Sequence, residues 1–488
     1  MKRVKCIGLI VLILIIWIDQ TRGDCFSIVV GKDATEDGSV LFGHNEDNAR
    51  KFVAGLRRIS RLEHTDEERL ILKNGFSIPQ VKTTYGYWWL QMPERDHSDT
   101  FINEYGVVIA SDNCQSREDK PELTDGGIGG PDLRRIIVER AQTAREGVEL
   151  LGSLVEQYGY TASGRTFIIC DANEGWFVAV VNGKHWVAQR VPDDKVAIVA
   201  NSFSIREVSL SDKRNFLGAS DLVTYAQKRG WYNPTNGPFS FEAAYSDPQT
   251  RTSKGNTHRQ WSGLRLISKE LVPPPEEEQL PFAVIPKEPI KVQNVTTVLR
   301  DHYENSPYEQ NEKTTPAHKR HTSTICQPAT NSSSIFQLRS EMPVEIGCVW
   351  WLALWQPCST PYIPLYPVMN EVPEQISFGS FIEESCYYCT FSPEFGPAYQ
   401  AFSDLTRWVN EDYLTRINPI LAMRTTLEKD FFSNQEPFEM FVLDLWKKDT
   451  KKTQSLLTQF NHGAVSRAVG KALFIIQDVS QEVIILPR

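Results

Sequence analysis

The period of hydrophobic and polar positions changes several times along the chain, and each change marks an element. After Lys2, Arg3 and Lys5 comes an unbroken apolar run, Cys6 to Ile18, closed by the polar Asp19-Gln20-Thr21-Arg22-Gly23. Cys25 to Gly31 is β-rich, Asp33 to Gly38 ends in an Asp-Gly turn signal, and Ser39 to Gly43 reads as a returning strand. A hairpin brings the far end of its second strand beside the start of its first. The pattern therefore predicts His44-Asn45-Glu46-Asp47-Asn48 next to Cys25. Gly126 to Pro131 is a glycine-rich loop. Asp132 to Tyr158 repeats its apolar residues at helical spacing with an interruption near Gly147, which predicts two amphipathic helices. Thr166–Asp171, Gly175–Val181, His185–Arg190 and Val196–Asn201 are short β-type runs split by turn residues, expected as one antiparallel meander. The Pro- and Glu-rich stretch 271–320 reads as a surface excursion. Strand patterns return over 323–339 and 345–354. Residues 393–471 are helical in pattern, and Lys471 to Pro487 suggests one or two closing strands.

The first segment is an address more than a structural element. A basic start, a short apolar run and small residues at Thr21 and Gly23 are the layout of a secretory signal peptide. The run is short of the about 20 residues that span a membrane. Residues 1–24 are thus expected to be a signal peptide with a short propeptide, and the mature protein to be secreted or periplasmic, with no membrane anchor. An uncleaved anchor and a lipidated Cys25 are the alternatives. Two N-x-[ST] sequences, at Asn294 and Asn331, matter only in a host that glycosylates exported chains.

Composition narrows the picture modestly. The 488 residues are 41% hydrophobic and 23% charged, which is ordinary globular material. The net charge of −9 provides no basic excess to neutralise phosphates, so no nucleic-acid partner is expected. H-E-x-x-H, G-x-S-x-G, P-loop and G-x-G-x-x-G motifs are missing. Cys386-Tyr-Tyr-Cys389 is a lone C-x-x-C, read as a disulfide or a buried pair, and the nine histidines do not cluster by spacing. No metal and no cofactor are expected.

The candidate chemistry lies at Cys25. Processing that exposes it as residue one would give it a free α-amine with a pKa near 8, able to take the thiol proton, so that nucleophile and base are one residue. Asp24 must leave for this to happen. A structural cysteine at the head of the first strand is the other reading.

The run Cys25-Phe-Ser-Ile-Val-Val-Gly-Lys-Asp-Ala-Thr-Glu-Asp-Gly-Ser, followed by Gly43-His-Asn-Glu-Asp47, closely resembles the opening of the secernin-like dipeptidases. These are N-terminal-nucleophile (Ntn) cysteine hydrolases, related to bile salt hydrolase and penicillin V acylase. Phe101-Ile-Asn-Glu-Tyr-Gly-Val, Asp132-Leu-Arg-Arg, Glu139 to Glu146, Val199-Ala-Asn-Ser-Phe203, Met342 to Trp351 and Pro357-Cys-Ser-Thr-Pro-Tyr extend the likeness over most of the chain after Cys25. The resemblance implies an α+β fold: one four-layer αββα sandwich of two antiparallel sheets over 25–488, with a helical C-terminal elaboration. It implies hydrolysis of small peptides through a thioester on Cys25. Asp47 matches the Asp that orients the N-terminal Cys. Asn201 matches the donor to the tetrahedral oxyanion. Arg259, in Thr257-His-Arg-Gln-Trp, matches a late Arg that steadies the thiolate. His44 stands where the acylase relatives carry Arg, to tune the thiolate or to pack. An N-acylated amine as substrate, and a non-catalytic envelope protein, are the rival readings.

Overall fold

The structure, a computed structural model, describes residues 25–47, 54–91, 100–276, 279–309, 323–368, 370–377 and 397–484. The signal-like segment, Asn48, Cys386 and Cys389 lie outside the described residues.

The expected hairpin is present. Strand β1 (Phe26–Val30) pairs antiparallel with β2 (Val40–Asp47), with Ser27 opposite His44 and Phe26 opposite Asn45. β2 runs four residues beyond the expected end, so His44 to Asp47 belong to the strand itself. Strand alternation then divides these residues between two faces. Gly43 faces outward, where an added Cβ would lie 2.7 Å from Val295 and 2.8 Å from Ile28. Ser27 and His44 face inward.

Around this hairpin the described residues form a seven-stranded antiparallel sheet. Its other members are β10 (Val196–Val199), β12 (Ala283–Val284), β13 (Thr330–Leu338), β14 (Cys348–Leu354) and β15 (Ile363–Leu365), in the order β12-β10-β1-β2-β13-β14-β15. The second sheet has eight strands: β3 (Gly55–Ile59), β4 (Tyr87–Gln91), β5 (Phe101–Asn103), β6 (Val108–Asn113), β7 (Tyr160–Cys170), β8 (Gly175–Gly183), β9 (Trp186–Arg190) and β11 (Phe216–Gly218). Its order, β11-β9-β8-β7-β6-β5-β4-β3, is an almost unbroken meander.

Each sheet has two apolar faces, as a four-layer stack demands. In β8, Phe177, Ala179 and Val181 join the core between the sheets, whereas Trp176, Val178 and Val180 join a second core under α1 (Gly130–Arg140) and α2 (Ala144–Tyr158). On the first sheet, Phe42, Phe336 and Trp350 stack across neighbouring strands, at 6.0 and 4.6 Å between ring centroids. Its outer face is covered by α3 (Lys254–Ile267) and α4 (Val292–Leu299). There Gly263 lets α3 approach Phe26 and Ile198 closely. The C-terminal helices α5 (Pro397–Glu411), α6 (Tyr413–Trp446) and α7 (Thr450–Ile484) extend this layer, with Phe432 stacked on Trp351 at 4.4 Å. The fold is an αββα sandwich with a helical C-terminal elaboration. No helix among the described residues is long and apolar enough to cross a membrane.

Four expectations need correction. The run 196–199 does not continue the meander; β10 crosses to the other sheet and pairs with β1, Ile198 opposite Ile28. A two-residue period fixes which side chains are buried, but not which sheet receives the strand. The break between α1 and α2 lies at 141–143, not at Gly147. Thr143 caps α2 by accepting from the Glu146 amide, and the Glu146 carboxylate accepts from the Gln142 amide. Gly147 sits inside α2, where an added Cβ would come within 3.0 Å of Ile137. Part of 271–320 is built into the sandwich, as β12 and α4. Finally, Lys471 onward continues α7. Leu457, Val465, Ala468 and Ala472 are buried at helical spacing, and that packed stripe outweighs the local β preference.

Candidate active site

The inward side of the hairpin gathers polar groups in an otherwise apolar layer. Cys25, at the head of β1, is 6% exposed, and its thiol donates to the Glu46 carboxylate at 3.5 Å. The His44 Nε2 lies 3.3 Å from the same carboxylate oxygen. On the other side of the ring, Nδ1 is 2.8 Å from the Ser27 hydroxyl, which donates to Asp112 Oδ2 at 2.6 Å. Because that hydroxyl proton is committed to Asp112, the imidazole donates to Ser27. Cys25, Glu46, His44, Ser27 and Asp112 thus form one buried chain of contacts from the thiol to β6 on the opposing sheet.

A second set of groups holds Cys25 from the outer layer. Arg259, on α3, is fully buried. Its guanidinium donates to the Cys25 carbonyl at 2.8 Å, to Asn201 Oδ1 at 3.0 Å and to Asn256 Oδ1 at 3.3 Å, while Nε donates to the Gly255 carbonyl at 2.7 Å. Asn201 follows β10 with φ 54°, in the left-handed region that Asn tolerates better than most residues. That turn aims its amide nitrogen at the Asn113 carbonyl, 2.9 Å away. One amide hydrogen of Asn201 engages this bond, and the amide has a second to give.

The predicted residues Cys25, His44, Asp47, Asn201 and Arg259 therefore converge on one end of the sandwich. Their contacts differ in detail from the expected ones. Arg259 grips the backbone carbonyl of Cys25. The carboxylate at the thiol is that of Glu46, while Asp47 offers the thiol its backbone oxygen at 3.9 Å and accepts with its side chain from the Gln327 amide. A bulge in the β2–β13 ladder between Thr330 and Ser332 falls opposite this end of β2, a common device beside active sites. Glu46, Ser27, Asp112 and Gln327 were not singled out from the sequence. Glu46 was accessible by counting two positions from His44 along a strand. Asp112 and Gln327 arrive from elements far along the chain, with no local signal. Asn331, one of the two glycosylation sequences, is buried in β13.

Burial raises the Asp112 carboxyl from 3.8 to about 6; the nearby His44 and the Ser27 hydrogen bond oppose the rise. The folded chain then binds this proton more tightly than the unfolded one. Stability attributable to Asp112 accordingly falls as pH rises from about 4 to 6, by about 3 kcal/mol. Asp112→Asn keeps the acceptor for Ser27 and removes the titration. Urea unfolding at pH 4 and pH 7.5 checks this: the variant should gain about 3 kcal/mol relative to wild type across that interval. A pH-independent difference between the two proteins would refute the assignment.

Two groups of donor side chains could hold a metal ion among the described residues. Cys25, His44 and Glu46 form one, His302, Cys326 and Cys358 the other, each with its donor atoms within 4.8 Å of one another.

A buried, hydrogen-bonded thiol thus stands at the head of β1 in an αββα sandwich. The model of peptidase family C69 matches residues 24–391. A probable dipeptidase of Latilactobacillus sakei is 28% identical over 360 residues, 72% of this chain and 75% of that protein. A probable dipeptidase B of Streptococcus pyogenes serotype M1 is 25% identical over 451 residues, 88% of this chain and 87% of that protein. Among solved structures, penicillin V acylase from Agrobacterium tumefaciens aligns with 13% identity and a TM-score of 0.35, covering 73% of this chain and 89% of that one. The chain belongs to peptidase family C69.

Proposed function

We propose that the protein is an exported dipeptidase that uses Cys25 as an N-terminal nucleophile. The observation that carries this is the convergence on Cys25: its carbonyl fixed by Arg259, the same guanidinium holding Asn201, and its thiol held by Glu46. The names of the related dipeptidases support small peptides as substrates. The signal-like start supports export.

In this mechanism residues 1–24 are removed and the Cys25 α-amine becomes the base. The amine takes the thiol proton as sulfur attacks the peptide carbonyl. Charge develops on the carbonyl oxygen, and the second hydrogen of the Asn201 amide is the donor for it. One such donor contributes about 3–4 kcal/mol to lowering the barrier. The protonated amine hands its proton to the departing amine, leaving a thioester on Cys25. The same α-amine then activates water, and hydrolysis of the thioester frees the thiol. Arg259 holds the Cys25 carbonyl throughout, so sulfur and amine keep their relative placement.

The test is the N-terminal sequence and intact mass of the mature protein, followed by assays on dipeptides beside N-acyl amino acids. Cys25 as residue one with dipeptide turnover is the expected result. A mature chain starting before Cys25 and still fully active would overturn the role of the amine. Turnover of N-acyl amino acids alone would overturn the substrate class.

A further inference from the structure

The second thiol-bearing cluster lies outside the nucleophile's contacts. Cys326 and Cys358 flank the open end of the β13–β14 hairpin, whose last ladder pair is Ser332 and Leu354. Both are buried, as is His302, and the two sulfurs lie within 4.8 Å of each other and of a ring nitrogen of His302. The loops carrying them are pinned. The Cys326 amide donates to the Asp301 carbonyl at 3.2 Å, Arg300 Nε donates to the Pro357 carbonyl at 2.8 Å, and Arg424 donates to the Cys358 carbonyl. The segment bearing Cys326 also reaches the active site: the Ile325 carbonyl accepts from Asn45 at 2.9 Å, and the Gln327 side chain donates to Asp47.

We propose that Cys326 and Cys358 form a disulfide that ties the open end of this hairpin against the catalytic strand β2. The juxtaposition follows from the ladder register and the pinned loops, which hold the two sulfurs within 4.8 Å of each other. Zinc is the poorer occupant. A structural zinc site takes four donors, whereas three side chains meet here among the described residues.

The oxidant is a small disulfide such as oxidised glutathione. The Cys358 thiolate, its proton lost to solvent, attacks one glutathione sulfur and expels a glutathione thiolate, which takes up a proton. Cys326, losing its proton, then attacks the Cys358 sulfur of the mixed disulfide and expels the second. Two protein thiols lose two electrons, the glutathione disulfide gains them, and the two protons end on the leaving thiols. Because both sulfurs are buried in the fold, exchange takes place before the segment around Cys326 docks, and the closed bond is shielded afterwards. The proposal draws on export only for the oxidising compartment.

The experiment is peptide mapping of the full chain refolded with a glutathione redox pair, alkylated before digestion, together with elemental analysis for zinc. A Cys326–Cys358 linked peptide that separates on reduction is expected. Cys326→Ser and Cys358→Ser should each lower Tm by about 5 °C in the oxidised preparation and by far less in the reduced one. Alkylation of both thiols after oxidative refolding, a link from either to Cys386 or Cys389, or one zinc per chain with both thiols unlinked would each overturn it. These readouts need no activity, so they fail or succeed independently of the dipeptidase reading.

Discussion

Cys25→Ala will retain the fold and lose hydrolysis, with kcat reduced by at least about 10⁴-fold. The side chain lies at the head of β1, where its thiol meets Glu46 and the Asp47 carbonyl, so removing it leaves β1 and its ladder intact. A structural cysteine predicts the reverse: a lowered Tm with turnover preserved. Kinetics on a dipeptide beside a thermal melt separates the two. Cys25→Ser should keep the fold equally well and lose most activity, since a hydroxyl is a far weaker nucleophile toward the same base. Full activity in the serine variant would end the nucleophile assignment.

Arg259→Met will be costly in both stability and rate. It removes donors to three buried acceptors, on Cys25, Asn201 and Asn256, and to the half-buried Gly255 carbonyl, and methionine fills the space without replacing any of them. Stranded buried acceptors cost about 1–3 kcal/mol each before relaxation, so the loss in unfolding free energy should reach about 3–5 kcal/mol. The fall in kcat should be about 10²-fold or more, because Asn201 and the Cys25 backbone lose their common anchor. Urea denaturation and steady-state kinetics measure the two effects. Arg259→Lys should recover part of the stability and less of the rate, as one ammonium cannot reach Cys25 and Asn201 in the guanidinium's geometry. Wild-type kinetics in a well-folded Met variant would refute the positioning role.

Local pattern made part of this site legible. The Asp-Gly turn between two β-rich runs was enough to set His44 to Asp47 beside Cys25, and the ladder pairs Ser27 with His44. Resemblance supplied Asn201 and Arg259, which no spacing would have linked to Cys25; α3 and the end of β10 bring them there. The remainder depends on tertiary pairing. Val196 to Val199 carries no mark of which sheet it joins, and Asp112 meets Ser27 only because the two sheets face each other. Lys471 onward has strand-like residues but continues α7, whose buried stripe of Leu457, Val465, Ala468 and Ala472 favours the helix.

The place of β1 in its sheet has a consequence for how the protein works. With β10 on one side and β2 on the other, its amides are held in ladders on both edges, and its outer face lies under α3. Such a strand exposes its backbone to hydrogen exchange only through openings that approach global unfolding. The thiol therefore sits on one of the slowest-moving parts of the molecule. A substrate therefore meets a nucleophile held in place by its sheet, and must itself adjust to reach the sulfur.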